Sequence, residues 1–129
     1  MKKITRMTIN VEWIKSRQWG FNPHLAALII LADGTAFRTK VYKCSGCGYD
    51  KESTVISMLF NEHLRDRLKH RRKITAPYGV YLPSNDSAGY YGDGIGIDCY
   101  YRIVAWLGGK MTHTAAGKYF DVYEIKFKS

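Results

Sequence analysis

Cysteine and proline are both scarce in this 129-residue chain, with three of each. So few cysteines, and an odd number of them, exclude a disulfide-stapled secreted scaffold and favour a reducing, cytoplasmic setting. Acidic residues are also few: 11 Asp and Glu stand against 20 Lys and Arg, a formal net charge of +9. That imbalance favours a polyanionic partner, whether nucleic acid, a ribonucleoprotein or an acidic protein face. No apolar run approaches the roughly 20 residues of a membrane-spanning helix, so no membrane role is expected. The basic start, Met1-Lys2-Lys3, is not followed by the unbroken apolar segment of a secretory leader. Nucleotide fingerprints are missing as well. Gly92-Asp93-Gly94-Ile95-Gly96 matches neither the dinucleotide nor the phosphate-loop spacing, and no lysine follows it where the latter needs one. Ribonucleoprotein, helix-turn-helix and complete zinc-finger patterns are likewise absent.

What is present describes a folded chain. The hydrophobic fraction is 46% and the aromatic fraction 14%, enough to fill one core, and residues 1–129 read as a single domain. Met7, Ile9, Val11 and Trp13 alternate with Arg6, Thr8, Asn10 and Glu12, which predicts a half-buried strand over 5–13. Residues 16–23 hold Gly20 and Pro23 and read as a loop, in which Trp19 and Phe21 either form an exposed aromatic contact or, the preferred reading, cap one end of the core. Leu25 to Ala32 is nearly continuous in apolar residues and predicts a central strand covered on both faces or nearly so. Asp33-Gly34 supplies a hairpin turn. A third strand then returns over 35–43, with Phe37 and Val41 inward.

From Asp50, a candidate N-cap, the period becomes helical through about Arg72, with Val55, Ile56, Leu59, Phe60, Leu64 and Leu68 on one stripe. A glycine-rich polar loop follows. Asp98 caps a second helix to Leu107, burying Cys99, Tyr100, Ile103, Val104 and Leu107, and residues 118–128 form the last strand. Three strands, a helix, a loop, a helix and a strand argue for an α+β fold. The expected form is an antiparallel sheet of about four strands with two helices on one face, in the order βββα-loop-αβ.

The candidate chemistry centres on Lys43 to Thr54, which carries Cys44 and Cys47 at Cys-x-x-Cys spacing just ahead of a helix. Two thiolates so spaced can wrap one tetrahedral zinc ion, with the neighbouring glycines relaxing the backbone. Cys99 is the natural third ligand, His113 the preferred fourth, and His63 the second choice. A structural zinc there would tie the strand-to-helix turn to the second helix. The same residues admit a cysteine hydrolase: Cys47 at a helix N-terminus as nucleophile, His113 as base and Asp121 orienting the imidazole. They also admit plain packing of small apolar side chains. A second feature is the basic helix end, where Arg65, Arg67, Lys69, Arg71, Arg72 and Lys73 exceed what a helix dipole can use. These six are expected on a partner-facing surface.

Three stretches together carry a resemblance: Gly46-Cys47-Gly-Tyr-Asp-Lys-Glu-Ser-Thr54, Gly96-Ile-Asp-Cys-Tyr-Tyr101 and Ala116-Gly-Lys-Tyr-Phe-Asp-Val-Tyr123. The chain resembles small proteins encoded by phages and integrated elements of Gram-positive bacteria. Some phage proteins of this size are anti-CRISPR proteins, which inhibit the host's RNA-guided nuclease by stoichiometric binding. The resemblance implies a non-enzymatic inhibitor, acting in the host cytoplasm on a defence protein or ribonucleoprotein such as a type II CRISPR nuclease. The basic charge departs from acidic DNA mimics and favours an acidic or RNA-bearing target. A basic accessory protein that binds nucleic acid directly is the alternative.

Overall fold

The structure is a computed structural model, and it describes residues 3–16, 20–43, 51–64, 67 and 97–128. Among these, strands β1 (Ile4–Ser16), β2 (Gly20–Leu31), β3 (Ala36–Arg38) and β4 (Tyr42–Lys43) precede helix α1 (Lys51–His63). Helix α2 (Ile97–Trp106) then leads into β5 (Gly109–Ala116) and β6 (Phe120–Phe127). All strand pairings are antiparallel, in the order β3-β2-β1-β6-β5, with β4 also on β2. The α+β class and the antiparallel sheet are as expected, but six strands replace four. No helix among the described residues is long and apolar enough to cross a membrane.

Each departure from the expected element order has a local cause. The loop expected over 16–23 is part of a long hairpin, with β1 paired to β2 as far as Ser16 and Gly20. Pro23 is tolerated because it lies beyond the last β4 pairing on β2, His24 with Lys43, at the margin of the sheet. The single strand expected over 35–43 is split at Thr39. Its hydroxyl accepts the Ala27 N–H at 3.0 Å while its own N–H donates to the Ala27 carbonyl at 2.9 Å. A side chain thus replaces a backbone acceptor, and Val41 and Phe37 are left largely exposed instead of inward. The last strand proves to be a hairpin. Strand β5 was hidden because Met111 is its only buried large apolar residue. The Asp33-Gly34 turn forms as read, with Gly34 at φ 88° and Thr35 bonded back to the Asp33 carboxylate.

Both helices pack on one face of the sheet. Met7, Ile9 and Val11 from β1, Leu25, Ala27 and Ile29 from β2, and Tyr123, Ile125 and Phe127 from β6 meet Ile56, Leu59 and Phe60 of α1 and Ile103 and Val104 of α2. Burying each of the larger of these side chains contributes about 1.5–3 kcal/mol. Phe60 and Tyr100 meet edge to face at 5.3 Å, and the Tyr100 hydroxyl donates to the Ser53 carbonyl at 2.9 Å. The start of α2 is therefore tied to the start of α1. Both helices begin toward the end of the sheet that carries the β1–β2 hairpin tip. Arg67, past the other end of α1, reaches the Ile4 carbonyl at the opposite end of β1. Strand β2 is covered fully on one face and partly on the other: Leu25, Ala27 and Ile29 are buried, while Ala26, Leu28 and Ile30 are half-buried on the open face.

Candidate functional site

The polar chemistry of the helix-bearing face collects toward the hairpin end. Pairing sets His113 opposite Tyr123 and Asp121 opposite Val11, which places all four on the inner face. His113 Nε2 lies 2.9 Å from Asp121 Oδ1, and the Trp13 indole N–H donates to Asp121 Oδ2 at 3.0 Å. A carboxylate oxygen accepts here, so Nε2 is the donor of the contact, and the neutral tautomer that makes it has its lone pair on Nδ1. The imidazole also stacks on Tyr123 at 4.6 Å and 18°. The Tyr123 hydroxyl in turn donates to the Glu52 carboxylate, in the first turn of α1, at 3.1 Å. Burial and then the Glu52 charge push the Tyr123 phenol well above its ordinary range. Burial also raises Tyr101, helped by Asp98, Glu52 and Asp121, so its phenol stays neutral in this acidic corner.

Cys44 and Cys47 lie outside the described residues, as does the side chain of Cys99. Their neighbours are informative. Lys51 opens α1 next to Glu52, and Tyr100 follows Cys99 and bonds Ser53. Lys51 and Tyr100 thus stand toward the end where His113 and Asp121 meet, whereas Lys43, which precedes Cys44, belongs to β4. Among the described residues no group of three or more His, Cys, Asp or Glu side chains is placed to hold a metal.

His63, the alternative fourth ligand, sits apart from His113. It closes α1, roughly 16 Å along the helix from Glu52 at 1.5 Å per residue. Its Nε2 lies 3.1 Å from the Tyr42 hydroxyl, which itself donates to Glu62 at 2.7 Å. Lys40 completes the cluster at 3.5 Å from Glu62. This clasp fastens β4 to α1, far from the His113 end.

Of the basic helix end, Arg67 alone is described; Arg65, Lys69, Arg71, Arg72 and Lys73 lie outside the described residues. Arg67 is engaged by the fold. It donates to the Ile4 carbonyl at 2.8 Å, and its guanidinium sits 4.1 Å from the Phe127 ring centre.

Elsewhere the carboxylates are largely satisfied internally. Glu124 meets Arg6 at 2.6 Å and Lys126 at 3.3 Å, Glu62 holds Lys40 and Tyr42, and Asp121 and Glu52 are engaged as above. Lys3, Lys15, Arg38, Lys43, Lys110, Lys118 and Lys128 make no ion pair among the described residues. Two surface features accompany these cations. The open face of the sheet carries a concavity of about 420 Å³, bounded by Glu12, Ile14, His24, Arg38 and Val41. At the hairpin end, Phe21 is 40% exposed and stacks at 4.9 Å and 19° on Tyr119, itself 45% exposed. Phe21 is therefore a surface ring, not the core cap that its loop assignment implied. The partnership of Trp13 with Asp121 and of Tyr123 with Glu52 carried no local signal, because each depends on pairings more than 70 residues apart.

No family model, curated protein or solved structure matches this chain.

Proposed function

We propose that the chain acts by binding and not by catalysis, as a mobile-element protein that inhibits a host defence complex bearing RNA or an acidic face. A type II RNA-guided nuclease is the first candidate. The observation that supports this reading is the division of charge. Of the seven described carboxylates all but Glu12 and Asp98 are engaged internally, while seven lysines and arginines are exposed without an ion pair among the described residues. Such a surface attracts polyanions at long range and releases them in salt. Plasmid cleavage by the purified nuclease, with and without a molar excess of this protein, tests the proposal. Inhibition that weakens steeply with salt is expected, and unimpaired cleavage at excess protein overturns it.

A structural zinc belongs to the same proposal, with Cys44, Cys47, Cys99 and His113 as ligands and the ion as a clasp between the cysteine turn and α2. Support comes from the His113–Asp121 contact. A histidine that gives one ring nitrogen to a carboxylate is oriented to offer the other to a metal. That contact also favours a second reading, a cysteine hydrolase of Cys47, His113 and Asp121, because an oriented imidazole is the base such an enzyme needs. The two readings part on chemistry. Alkylation of Cys47 abolishes function in the hydrolase, whereas chelation loosens the fold in the zinc protein.

A further inference from the structure

The exposed Phe21–Tyr119 pair is an unusual use of aromatic surface. Two rings 4.9 Å apart would ordinarily be turned inward, yet both are 40% or more open to solvent. Tyr119 is also held firmly. The Trp13 N–H donates to the Tyr119 carbonyl at 2.8 Å, and the Gly117 N–H donates to the Phe120 carbonyl at 2.9 Å, which pins both sides of the turn that carries Tyr119. Its surroundings are cationic. The Lys118 ammonium lies 5.3 Å from the Tyr119 ring centre, and Lys15 is paired across the hairpin from Phe21. The nearby carboxylate, Asp121, is occupied by His113 and Trp13.

We infer that Phe21 and Tyr119, with Lys15 and Lys118, form a stacking platform for an unpaired base of a single-stranded nucleic acid. A flat ring of fixed orientation accepts any base through its π face, and adjacent ammonium groups meet the flanking phosphates. A duplex hides its base faces, so charge alone would have to hold it. The two backbone bonds fix the turn that carries Tyr119, so that this ring loses little conformational freedom on binding. The open face of the sheet suits a strand less well, since Glu12 lies in its concavity and would repel phosphate. The inference rests on the proposal that the partner bears RNA or another polyanion, and it names the part of the surface that touches the strand.

The test uses the full-length protein and a fluorescent 12-nucleotide oligothymidylate, followed by anisotropy at low salt. Binding is expected, and a duplex of equal length should bind at least several-fold more weakly. Tyr119→Leu keeps the apolar bulk but removes the flat face, and should weaken strand binding by roughly 5- to 100-fold. Tyr119→Trp should retain binding, which guards against a loss caused by misfolding. Lys118→Ala should lower the salt dependence by about one charge. Equal affinity for strand and duplex, or wild-type binding by both Phe21→Ala and Tyr119→Leu, overturns the platform, as does no binding at low salt. The nuclease assay is scored separately. Inhibition that persists without strand binding removes the platform and leaves the proposed function standing, while loss of both removes both.

Discussion

Asp121 holds His113 with one carboxylate oxygen, at 2.9 Å, and the Trp13 indole with the other, at 3.0 Å. One side chain on β6 thereby sets the angle of a ring on β5 and of a ring on β1. Replacing Asp121 with Asn offers an amide N–H where the carboxylate stood. The imidazole can then accept at Nε2 and carry its proton on Nδ1. Long-range nitrogen–proton spectra should show mainly the Nε2–H tautomer in the wild type and a shift toward Nδ1–H in Asp121→Asn. An unchanged tautomer would remove Asp121 as the orienting group.

The zinc proposal predicts about one zinc per chain in protein purified without chelators, four protein ligands and no open position. Cys47→Ser, Cys99→Ser and His113→Ala should each lower the metal content, and chelation should lower the melting temperature. Elemental analysis giving less than about a tenth of a zinc per chain would exclude the site, because structural zinc survives purification.

The Tyr42–Glu62–His63 clasp makes stability depend on pH. Burial lowers the His63 pKa below its ordinary 6.5, so the fold favours the neutral ring. A group depressed in this way contributes stability above its unfolded pKa and loses it as pH falls. The Tyr42 hydrogen bond holds Glu62 below its usual carboxylate range, which acts in the same direction at lower pH. Calorimetric melting temperatures should therefore fall between about pH 7 and pH 5. His63→Gln keeps a donor for Tyr42 without titrating, and should flatten that part of the profile. A profile identical to wild type would show that His63 does not carry the effect.

Two glycines should respond differently to alanine. A Cβ at Gly109 would meet the Lys126 carbonyl at 2.9 Å and the Phe127 ring at 2.7 Å, and neither the backbone nor that buried ring can move aside. Gly109→Ala should cost about 1–3 kcal/mol in urea unfolding. At Gly117 the obstruction is the exposed Phe120 ring, which can swing into solvent. Gly117→Ala should cost less than about 1 kcal/mol. The reverse order would mean that Phe120 is fixed and the β5 entry is pliable.

Periodicity made the inner faces of β1 and α1 readable, because Met7, Ile9, Val11, Val55, Ile56, Leu59 and Phe60 recur at the spacing each element imposes. The start of α2 was equally plain from Asp98 and the stripe at Tyr100, Ile103 and Val104. Strand β5 was not, since its apolar content is one methionine and its pairing is supplied by β6. The break at Thr39 was also invisible, because it depends on a hydroxyl replacing a carbonyl across the sheet. Of the candidate site, His113 and Asp121 were legible as residue types in a permissible order. Their contact required the β5–β6 hairpin that the sequence pattern concealed, and Trp13 read only as an apolar member of its strand.

The β1–β2 hairpin outruns its support. Strand β6 pairs with β1 only from Arg6 to Glu12, and Trp13 is the last β1 residue whose N–H is held from that side. Beyond it, among the described residues, β1 and β2 pair only with each other, and a two-stranded ribbon is the least stable kind of sheet. Its amides should exchange with deuterium by local opening, at a free energy well below that of global unfolding, while those of Met7 to Val11 wait for the whole domain to open. The surface ring Phe21 therefore rides on a segment that can breathe independently of the core behind it.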